Sequence, residues 1–109
     1  MITIILLFAA AAVLGLTVLI PVLKGKPHSR AASLAHGGAA AVALVLLVVR
    51  YLNGATEYQL AVILFVVAAL GGFVLFIRDL QKKSIPKGLA LIHAGIAVVA
   101  FLLLVFSVL

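Results

Sequence analysis

Four apolar stretches, each about 20 residues long, leave this chain few folds to choose from. They cover residues 2–23, 31–49, 58–77 and 88–109, and short polar turns part them. Such a length suffices to cross a bilayer as a helix. In lipid every backbone N–H and C=O must be satisfied inside the protein. Open strands fail that test, and four short segments cannot close a barrel. The expected fold is therefore an all-α membrane protein, a four-transmembrane-helix bundle with short connections. The alanine runs 9–12 and 39–41 suit close helix packing.

Composition sets the solvent. Of 109 residues, 68% are hydrophobic and 9% are charged, against about a quarter charged in soluble domains. Mean hydropathy is +1.50. The chain reads as one membrane domain, 1–109, because it is too short for two. It has no cysteine, which removes disulfides, thiol catalysis and cysteine-held metals or clusters. The first stretch has no basic residues before it and no small-residue cleavage site after it. It is read as a retained helix rather than a signal peptide.

The net charge of +6 is concentrated rather than spread. Lys24, Lys26, Arg30, Arg78, Lys82, Lys83 and Lys87 fall in two loops, 24–30 and 78–87, and the opposite side carries only Arg50. This is a topology signal, not a nucleic-acid footprint. It places both basic loops in the cytoplasm and both termini outside, in a multi-pass protein of the cell inner membrane. Tyr51 and Tyr58 then lie at the outer interface.

The chain also repeats itself. Displaced by 57 residues, segment 5–52 lies on 62–109 without a gap, with 18 of 48 positions identical. Matched positions include Phe8/Phe65, Gly15/Gly72, His36/His93, Gly38/Gly95, Ala40/Ala97 and Ala43/Ala100. Each half contributes two spans, so both enter the membrane in the same sense. The bundle is expected to consist of two parallel-repeat helical hairpins about a pseudo-two-fold axis along the membrane normal.

That symmetry brings His36 and His93 to one depth. Each lies about five residues into its span, or about 8 Å below the basic edge. Ser33, His36, Ala40 and Ala43 share one helix face, and Ala90, His93, Ala97 and Ala100 share the equivalent one. Two imidazoles at equal depth among small side chains are what axial ligation of a haem requires. The expected metal ligands are His36 and His93, with Ala40 and Ala97 leaving room for a flat group. The second ring nitrogen needs an acceptor, for which Ser33 and the carbonyls of Ala32 and Leu89 are candidates. Arg30 and Lys87, equivalent in the repeat, are placed to pair with propionates.

On those residues the chain resembles small four-helix membrane b-type cytochromes, whose haem b lies between histidines of different helices. The resemblance is architectural and spans the whole chain. Many such proteins carry four histidines and two haems, whereas this chain has one intramembrane histidine per repeat. One bis-histidine haem follows, or a site shared in a dimer. A single haem near one face needs a quinone, a redox partner protein or a second chain to move electrons across the membrane. In length and span count the chain is also similar to small multidrug resistance transporters. The glutamate those use in the first span is missing, since that span has only Thr3 and Thr17 as polar side chains.

Other readings remain open on the residues alone. The histidines can serve a cofactor-free accessory subunit of a larger membrane complex, or a homo-oligomer, by bonding a neighbouring helix. Each could instead hold one chlorin in a pigment-binding subunit. Zinc would lack carboxylate ligands. Duplication alone copies a histidine twice, but both remain among halves that differ at 30 of 48 positions. His28 reads as a solvated loop residue. Gly15 and Gly72 read as helix-packing sites, and Gly37, Gly38 and Gly95 as further contact points or ligand edges. No nucleophile–base constellation or phosphate-cradling glycine loop is present, so hydrolytic or group-transfer catalysis is not expected.

Overall fold

The computed structural model describes residues 1–109 and is built of helices alone. Helices α1 (Ile2–Leu23), α2 (Arg30–Leu52), α3 (Gln59–Leu80) and α4 (Lys87–Val108) follow one another, and a short 3-10 turn, Thr56–Tyr58, leads into α3. All four are long and apolar enough to cross a membrane.

Two helices outrun the apolar stretches. α2 continues through Arg50, Tyr51 and Leu52, and α3 through Arg78, Asp79 and Leu80. Hydropathy marks where lipid-compatible sequence stops, whereas a helix stops at its cap. Asp79, expected outside the spans, is thus a residue of the last turn of α3. Ser29 caps α2, its Oγ accepting from Ala32 N–H at 3.1 Å. The equivalent residue before α4 is Pro86, which holds φ −65° and offers no side-chain cap. Pro27 stands in the loop before Ser29 rather than at the helix start.

The three inter-helix ends close by one device. After α1, Lys26 N–H donates to the Pro21 carbonyl and Gly25 N–H to that of Val22. After α2, Ala55 and Gly54 repeat these bonds to Arg50 and Tyr51, and after α3 Lys83 and Lys82 repeat them to Arg78 and Asp79. This is the Schellman pattern, which needs one left-handed residue. Gly25 (φ 67°) and Gly54 (φ 109°) supply it twice, and Lys82 (φ 56°) takes the same conformation with a side chain attached.

α1 packs along α2 and α3 along α4, and the two hairpins meet more sparsely through α2–α3 and α1–α4. The bundle measures 42 × 20 × 19 Å. Its large-residue core lies away from the 24–29 and 81–86 loops: Ile4, Phe8, Ala43, Leu47, Tyr58, Val62, Phe65, Ala100 and Leu104 among others. Phe8 and Phe65, equivalent in the repeat, stack with centroids 3.9 Å apart and planes 5° from parallel. Toward the basic loops the core narrows to Ala11, Ala68 and Ala90, which brings the helices together around the two histidines. Only 13 of 109 residues are buried, none of them polar, while Phe73 and Phe106 are among many large apolar side chains turned outward. A surface so apolar needs an apolar cover.

Candidate functional site

His36 and His93 point into the bundle and meet across it. Their ring centroids are 6.2 Å apart and their planes stand at 89°, edge to face. Ser33, Ala40 and Ala43 lie with His36 on the inward side of α2, and Ala90, Ala97 and Ala100 with His93 on that of α4. The two faces expected from helical spacing therefore come together.

What holds each ring differs from expectation. His36 Nδ1 lies 2.7 Å from the Ala11 carbonyl oxygen, and His93 Nδ1 lies 2.7 Å from that of Ala68. The acceptors are neither Ser33 nor the carbonyls of Ala32 and Leu89. They belong to the facing helix of the same hairpin. A carbonyl can only accept, so Nδ1 carries the proton in both rings. Each Nε2 is left as the one nitrogen free to accept a proton or ligate a metal.

Glycine makes those carbonyls reachable. Gly15 follows Ala11 by four residues and Gly72 follows Ala68 by four, so each sits directly over the carbonyl on the helix surface. A Cβ on Gly15 would lie 3.0 Å from His36 Cε1, and one on Gly72 would lie 3.0 Å from His93 Cε1. The glycines do pack closely, as expected, but against an imidazole rather than another backbone. The order Ala11, Gly15, His36 recurs at Ala68, Gly72, His93, and that repeated spacing is the signal in the sequence. Gly37, Gly38 and Gly95 are exposed, and a Cβ at any of them would meet nothing within 4 Å. They are therefore not contact points between the helices of this chain.

The basic edge departs from symmetry. Asp79 Oδ1 lies 3.3 Å from His28 Nε2, and Asp79 Oδ2 lies 3.2 Å from Arg30 Nε. The Arg30 contact is an ion pair without hydrogen-bond alignment. The His28 side chain is 11% exposed and lies against Asp79, so it is not a solvated loop residue. Arg30, expected beside Lys87 as a propionate partner, lies next to Asp79 with its side chain 48% exposed. Positions equivalent to Asp79, His28 and Arg30 hold Val22, Ile85 and Lys87. One side of the edge is thus polar and the other apolar, and Lys87 keeps its charge unpaired. No three His, Asp or Glu side chains gather anywhere into a metal-holding group.

Comparison with protein-family models, with curated proteins and with solved structures finds no match.

Proposed function

We propose that this chain is a multi-pass inner-membrane protein that carries one haem b between His36 and His93 and passes single electrons. The membrane setting is supported by four long apolar helices and an apolar exterior. The charge asymmetry supports an orientation with the basic loops in the cytoplasm and the termini outside. Equivalent contacts in the two hairpins favour a parallel repeat: Phe8 with Phe65, His36 on Ala11, His93 on Ala68.

The observation that carries the haem reading is the state of the two rings. Both donate through Nδ1 and both keep Nε2 free, the arrangement in which a backbone carbonyl orients a ligating imidazole and raises its basicity. The two rings face one another from the two hairpins, with centroids 6.2 Å apart, so both could serve one group held between them. The donor set fits a bis-histidine haem. His36 and His93 would hold the iron, Ala40 and Ala97 would border it, and Lys87 is the free cation for a propionate. The haem would supply reversible one-electron chemistry. The chain's own residues orient the two rings through the Ala11 and Ala68 carbonyls and border them with small apolar side chains. A quinone or a redox protein at the basic face is the fitting electron partner.

A second reading rests on a different observation. The rings already fill the notches at Gly15 and Gly72 and stand near-perpendicular across the bundle, so each hairpin forms a packing unit of its own. On that reading the protein is a cofactor-free subunit of a larger membrane assembly or a homo-oligomer, and the histidines pin each hairpin. An absorption spectrum of protein purified from haem-replete cells separates the two. A Soret band with sharp alpha and beta bands on reduction, lost in both His36→Ala and His93→Ala, supports the cytochrome. A colourless preparation sinks it and leaves the pinned subunit.

A further inference from the structure

Between the two hairpins, at the basic end, lies an open cleft of about 330 Å³. Lys26 lines it from the first hairpin, and Lys83 and Lys87 from the second. Lys26 and Lys83 are equivalent positions, so both halves of the repeat contribute to the cleft. Its one acidic group is Asp79, already engaged by His28 and Arg30. The chain's other acidic side chain, Glu57, belongs to the turn at the opposite end. Three lysines therefore line one concave site whose single carboxylate is already paired, so their fields add and favour an anion. Val22 and Ile85, the counterparts of Asp79 and His28, give the same cleft an apolar wall.

We propose that this cleft binds a phosphate group and that the bound phosphate clamps the two hairpins together at their sparse seam. A phosphate carries enough charge and enough acceptor oxygens to engage several lysines at once, which a single carboxylate does not. The volume is at the small end of ligand sites and suits a headgroup or a free phosphate. The apolar wall matches the glycerol part of an anionic phospholipid. The site is independent of whether the histidines hold haem.

The test uses the full chain in a non-ionic detergent, with thermal unfolding followed by circular dichroism. One series adds inorganic phosphate against chloride at equal ionic strength, and another adds short-chain phosphatidylglycerol against phosphatidylcholine. Saturable stabilisation is expected. Saturation by phosphate identifies the bare group as sufficient, and saturation by phosphatidylglycerol alone identifies a lipid headgroup. The pair Lys26→Gln, Lys83→Gln should weaken apparent affinity about 25-fold, at about fivefold per lysine. The control pair Lys24→Gln, Lys82→Gln lies in the same loops outside the cleft and should change it less than about twofold. No saturable effect from either ligand, or equal losses in both pairs, overturns the proposal. Wild-type protein gives a check free of mutation. Ligand should shield Lys26 and Lys83 from an amine-acylating reagent while Lys24 and Lys82 still react, and uniform labelling of all four overturns it as well.

Discussion

Gly15 is the floor on which the His36 ring rests: a Cβ there would stand 3.0 Å from Cε1 and 3.1 Å from Nδ1 of the imidazole. Such a contact cannot be absorbed by the end of a flexible chain, because the ring is held at Nδ1 by the Ala11 carbonyl. Gly15→Ala must push the ring off its acceptor. The expected cost is about 1–3 kcal/mol, as for overpacking a well-filled core, read as a lower midpoint in mixed-micelle denaturation. Gly72→Ala should behave alike. Gly37→Ala and Gly95→Ala face open space and should instead leave stability unchanged or raise it by up to about 1 kcal/mol through helix propensity. A common sign for all four substitutions would refute the distinction.

The two ring nitrogens have separable jobs. An asparagine amide can donate from near the Nδ1 position but has nothing at Nε2. His36→Asn should therefore keep the bond to Ala11 and lose less than about 1 kcal/mol of stability, yet abolish any bis-histidine haem spectrum. His36→Ala should lose both. Nitrogen-15 NMR of the wild type should find Nδ1 protonated and Nε2 bare in His36 and His93. An Nε2–H tautomer in either ring would contradict the assigned bonds.

Lys82 occupies a left-handed backbone conformation (φ 56°) where the equivalent residue is Gly25 (φ 67°). A side chain costs roughly 1–2 kcal/mol in that region. No atom lies within 4 Å of a Cβ at Gly25, so the turn itself offers no compensating contact at its counterpart. Lys82→Gly should raise stability by about 1 kcal/mol, less the added freedom of the unfolded chain. Gly25→Ala should lower it by a similar amount. Thermal midpoints of the two single variants, moving in opposite directions, are the expected result.

The parts of this fold that follow from one helix at a time are open to the sequence. Apolar length marks four helices, and helical spacing puts Ser33, His36, Ala40 and Ala43 on one face. The repeat supplies the meeting of His36 with His93. Features that depend on a facing helix are hidden. The acceptor of each histidine is a main-chain carbonyl, which every residue has, and only the glycine four residues later marks which carbonyl is accessible. Hydropathy misplaces the helix ends at Leu52 and Leu80 because caps, not apolar length, stop a helix. The His28–Asp79 contact escapes a reading built on symmetry because it breaks the repeat. Its trace is the pair of counterparts, Ile85 and Val22, since two unlike residues at facing sites point to an exchanged contact.

That exchange can be reversed in the molecule. On one side of the basic edge Asp79 joins His28 and Arg30, and on the other Val22 and Ile85 take the equivalent places. Arg30 is 48% exposed, so its share of the ion pair is small, whereas His28 and Asp79 are 11% and 17% exposed. Asp79→Val alone removes the carboxylate and leaves a shielded imidazole without a partner, at an expected cost of about 1 kcal/mol. Adding His28→Ile recreates the apolar pair of the other side and should recover most of that loss. The rescue would appear as a coupling of about 1 kcal/mol in a double-mutant cycle. The same Asp79→Val change removes the only carboxylate from the lysine cleft, so it should tighten phosphate binding even as it loosens the unliganded fold. Weaker phosphate binding in Asp79→Val would mean that Asp79 orders the cleft rather than opposing its ligand.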